Sequence, residues 1–118
     1  MFLSSGKLVK NPQLIRRYVD EARKRGIDLS KVLPNEEDID LVRNVSMHAL
    51  DMLKIMEDLI QRFMKRIDPG IARDVFKEVL NEDVDEVTAT YLLAKEFSAW
   101  TLEIAEALNL IKIDEKIG

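Results

Sequence analysis

A chain of 118 residues, 47% hydrophobic and 34% charged, is enough for one globular domain and too apolar for a disordered segment. Only 4 Gly, 3 Pro and no Cys argue against a turn-rich β fold, and they exclude a disulfide framework and a thiolate zinc site. The net charge of −4 and pI near 5.1 leave nucleic acid a possible but not a favoured partner, since the basic-domain signature is a pI above about 9.

The opening MFLSSGKLVKN has too short an apolar stretch for a signal peptide, and no run approaches the length of a membrane span. A cytoplasmic protein that does not enter the membrane is expected. The charge is unevenly spread: residues 1–34 carry eight Lys/Arg against three Asp/Glu, a balance of +5 that leaves −9 for the remainder. Such a split fits either a basic patch for nucleic acid or attraction between elements of one fold. Abundant charge, no Cys and only Gln13 and Gln61 resemble heat-adapted compositions.

Four helices can be read in chain order. Asn11-Pro12 offers a cap and a ring preset at helical φ, and Arg23 to Gly26 supplies cations and a glycine stop, which bounds the first helix. Asn35 caps a second, whose first turn holds Glu36, Glu37 and Asp38 and whose last holds Lys65 and Arg66. No Gly or Pro interrupts that span, so one helix of about 30 residues, roughly 45 Å long, is predicted. Asp68-Pro69-Gly70 starts a short third helix through about Leu80. The fourth begins near Asn81 to Asp83 and runs to about Leu108, with Asn109 as a left-handed stop. KLVK near the start and LIKID near the end alternate weakly, so the termini are expected to pair as a small β ribbon.

The expected fold is therefore all-α: one domain over residues 1–118, a bundle of two long antiparallel helices and two short ones. In the second helix Val42, Val45, Ala49, Met52, Met56, Leu59 and Phe63 form one apolar seam, and Ser46, Leu50, Leu53, Ile60, Met64 and Ile67 form its neighbour, which makes that helix central. In the fourth, Leu93, Phe97, Trp100, Ile104 and Ile111 form a bulky row. Tyr91, Ala94, Ser98, Thr101 and Ala105 form a slim one, leaving Lys95, Glu96, Glu103 and Glu106 for the surface. More apolar seam than two short helices can cover points to a homodimer through the long helices.

RNVSMH at Arg43 to His48, which holds the only histidine, resembles the active motif of HEPN-type ribonucleases. That resemblance covers Arg43, Asn44 and His48 and implies that, across two facing subunits, His48 handles protons while Arg43 stabilises charge on an RNA phosphate. The alternative is packing, with Arg43 and Asn44 facing solvent and His48 bordering the apolar arc.

NEEDID at Asn35 to Asp40 and NEDVDE at Asn81 to Glu86 are the next candidates. Glu36, Glu37 and Asp40, with Glu82 and Asp85, resemble the acidic pairs of all-α nucleotide pyrophosphohydrolases of the MazG type, and the resemblance implies Mg²⁺ held against nucleotide phosphates. Their places at predicted helix N-termini also fit capping and the helix dipole. Trp100, Phe97 and Met47, Met52, Met56 and Met64 fit either core or an adaptable partner groove. Arg16, Arg17, Arg23, Lys24 and Arg25 fit a solvated helix face. No Gly-rich phosphate loop, nucleophile triad or zinc spacing is present, and no cofactor is expected. The reading favoured by the sequence is binding or scaffolding, with an unidentified protein partner.

Overall fold

The computed structural model describes residues 8–43, 49–108, 110 and 111. Among them lie five α-helices, one 3₁₀ turn and no strand. The helices are α1 (Pro12–Lys24), α2 (Glu36–Arg43), α3 (Ala49–Arg66), α4 (Pro69–Leu80) and α5 (Glu86–Ala107), with the 3₁₀ turn at Leu29–Lys31 between α1 and α2.

Helix α1 starts on Pro12, whose missing N–H is one that a first turn leaves unbonded anyway. Asn11 precedes it without a side-chain cap, and the Leu14 N–H bonds to the Asn11 carbonyl instead. At the other end Gly26 sits at φ +80°, and the Ile27 N–H donates to the Ala22 carbonyl at 3.0 Å, closing the last turn in the Schellman manner. Helix α4 is capped by Asp68, which accepts from the Ile71 N–H at 3.1 Å. It ends where Asn81 turns left-handed at φ 53°. That turn is why α5 starts later than residues 81–83: the chain runs without helix to Asp85, which accepts from the Thr88 N–H and caps the new helix.

The single long second helix is divided. Arg66, near the end of α3, donates to Asp38, in the first turn of α2, at 2.7 and 2.8 Å. In one continuous helix those residues, 28 apart, would stand about 42 Å from each other. Helices α2 and α3 are therefore two separate helices, which bring their acidic start and basic end together. The dipole pattern that suggested one helix belongs to two.

Helix α5, not the second predicted helix, is central. It packs against α1, α2, α3 and α4. Ala89, Leu93, Ala94, Phe97, Ala99, Leu102 and Ala105 are all buried on it, so its apolar surface runs around the whole circumference. The alanines keep the approach close. Ser98 and Thr101, also buried, donate to the carbonyls of Ala94 and Phe97 one turn back, so neither hydroxyl is stranded. Phe97 lies at the heart, stacked on Phe63 at 5.5 Å, edge-on to Tyr18 at 5.9 Å and tilted against Trp100 at 6.0 Å.

Three further expectations change. Glu103 is buried, and its carboxylate accepts from the backbone N–H groups of Leu8 and Val9 at 3.0 and 2.6 Å. Those amides are thus spent on a side chain of α5 rather than on a ribbon partner, and Leu110 and Ile111 form no strand; the rest of both terminal stretches lies outside the described residues. Leu53, placed on an apolar seam, is 68% exposed, while Ile55 is buried in its stead.

Candidate functional site

A polar cluster surrounds the buried Asp38. Asn35 and Asp38 form a reciprocal capping box, each accepting the other's backbone N–H at 3.0 Å. Asp38 is fully buried, and Arg66 clamps its carboxylate with both guanidinium nitrogens while Arg62 approaches to 3.4 Å. Burial alone would raise the carboxyl's pKa. The Arg66 hydrogen bonds, the Asn35 N–H and the charges of Arg66 and Arg62 outweigh it, so Asp38 is held below the usual carboxylate range. Arg66 also lies over the Phe63 ring at 4.8 Å, which ties the cluster to the core. Engaged this way, the carboxylate ties α2 to α3.

The other acids lie apart. Glu36 and Glu37 are exposed on α2, with Glu37 3.9 Å from Arg62. Asp40 pairs with Arg43 at 3.5 Å at the end of the same helix. Both residues line a groove of about 810 Å³ with Glu36, Ile39 and the exposed Leu108. Asp85 caps α5 and accepts a hydrogen bond from the Thr88 hydroxyl, which with the Thr88 N–H holds its carboxyl low. Glu82 belongs to a different cleft from Glu36 and Asp40. Among the described residues no three Asp, Glu or His side chains converge as a metal site would require. Of the ribonuclease-like motif, Arg43 is exposed and ion-paired, and Asn44 and His48 lie outside the described residues.

A second concave feature is an apolar cleft of about 420 Å³. Helix α3 contributes Met52, Leu53 and Met56, α4 contributes Phe76 and Leu80, and α5 contributes Leu92 and Ala99. Leu8 and Leu14 complete the lining, held there because Glu103 grips the Leu8 and Val9 amides and Glu96 accepts from the Lys10 N–H at 3.1 Å. Lys10, Glu82, Lys95 and Glu96 bring charge of both signs to it. A cavity of this size, apolar inside with a few charges at the margin, suits an apolar side-chain row better than a polar metabolite. Its two methionines adapt their shape cheaply. The sequence had marked Met52 and Met56 as core or groove; the contributions of Leu8, Phe76 and Leu80 depend on distant chain pairing that no local pattern signals.

No helix among the described residues is long and apolar enough to cross a membrane. Searched against known proteins, the chain matches no family model, no curated protein and no solved structure. Function must therefore be argued from the clefts and charges themselves.

Proposed function

We propose that this protein works by binding or scaffolding, receiving an apolar helical surface in the cleft between α3, α4 and α5, and that it does so as a homodimer. The observation that carries this reading is the cleft itself, with Leu53 standing 68% exposed at a lining position. An exposed leucine beside two methionines costs solubility unless something covers it. Three of the polar groups already have partners: Asp38 is held by two arginines, Asp85 by its cap and Arg43 by Asp40.

A labelled amphipathic peptide with leucines at i, i+3, i+4 and i+7 tests the reading through fluorescence anisotropy. Saturable binding weakened by Leu53→Lys and unchanged by Arg43→Ala is expected. Hydrolysis of RNA abolished by His48→Ala, or Mg²⁺-dependent nucleotide hydrolysis abolished by Glu36→Gln, would overturn it in favour of catalysis.

A further inference from the structure

The cleft has a neighbour that suggests its occupant. Val87 is 69% and Tyr91 43% exposed, one turn apart on the first half of α5, so they make a short apolar ridge. That ridge adjoins the cleft, because Leu92 lines it and Lys95, which lines it too, holds its ammonium 5.8 Å from the centre of the Tyr91 ring. Ridge and groove thus border one another at Lys95.

We infer that a second copy of this chain fills the cleft, the Val87–Tyr91 ridge of each molecule entering the cleft of the other about a two-fold axis. This rests on the binding reading above and names the partner. A two-fold interface requires that one surface carry both halves of every contact, since residue i meets j and j meets i. The apolar ridge and the apolar cleft meet that condition. So do the charges: Lys95 is exposed at the cleft, and so is Glu82, so in a two-fold pair each Lys95 can meet the other copy's Glu82. A partner of single charge sign would leave half of that rim opposed by its like.

Sedimentation equilibrium over a concentration series, with helicity checked by circular dichroism, tests the inference. The native chain should be a dimer, and Val87→Lys, Tyr91→Lys and Leu53→Lys should each raise the dimer dissociation constant at least about tenfold. All three residues are exposed, so the fold should survive. Lys95→Glu alone and Glu82→Lys alone should also weaken self-association, whereas a mixture of the two should form a heterodimer, because exchange of signs restores both contacts. A monomeric native chain, a dimer indifferent to these changes, or a mixture that fails to pair would overturn the inference. The cleft reading fails separately: the Tyr91→Lys chain keeps its cleft, so peptide bound by it would retain that reading even where self-association is absent, and peptide refused by it would remove that reading too.

Discussion

Asp38 shows how much one side chain can determine. A buried carboxylate is costly unless paired, and removing one partner from a buried pair leaves the other charge stranded. Asp38→Ala strips Arg66 of its clamp, so a loss of about 3 kcal/mol is expected in urea unfolding. The same carboxylate sets an acid limit. Because its pKa in the folded state lies below the unfolded value of about 3.9, its stabilisation is complete above that value and fades as pH falls through the lower folded one. Unfolding midpoints followed from pH 6 downward should therefore begin to drop near pH 4, and less steeply in Asp38→Asn. Gly26 offers a contrasting case: a Cβ there would meet nothing within 4 Å, so only backbone strain at φ +80° opposes it. Gly26→Ala should cost about 1 kcal/mol, with helix content unchanged.

Among the elements, α5 bears the packing. Its small residues set how near its four neighbours come, so Ala94→Leu should overpack the core at a cost of about 1–3 kcal/mol. Thermal unfolding of the variant checks this, a change under 0.5 kcal/mol being the contrary result. The helices other than the second were legible because capping, proline and glycine act within a few residues: Asp68-Pro69 and Gly26 stand where the local rules put them. The division into α2 and α3 was not legible. It goes with the pairing of Asp38 and Arg66, which only the folded chain brings together, and both halves read as good helix in isolation. Likewise Glu103 looked like a surface residue because nothing local announces that two distant amides will meet it. The cleft was half legible, through Met52 and Met56 but not through the segments that close it.

At the scale of the whole molecule the uneven charge has a use. Arg17 donates to both oxygens of Glu78, and Arg25 donates to Asp74 at 3.0 Å, so cations of the basic N-terminal third meet acids of α4. The +5 and −9 portions attract within one fold, which accounts for two of the arginines without nucleic acid. Surface pairs of this kind stabilise little when isolated and more when networked at high temperature. Calorimetry should place Tm above the mesophile range of about 45–65 °C. The clasp of Leu8 and Val9 by Glu103 closes over a separation of 95 and 94 residues. Glu103→Ala should release it, accelerating hydrogen exchange at those two amides and costing about 2 kcal/mol.

The position of α5 after the four helices it packs against governs the order of events during synthesis. Four helices leave the ribosome before the one against which all of them pack, and their apolar faces wait without a counterpart until Ala107 has emerged. Folding is thus deferred until α5 has emerged, and a nascent chain stalled before Glu86 should remain sensitive to protease along its whole exposed length.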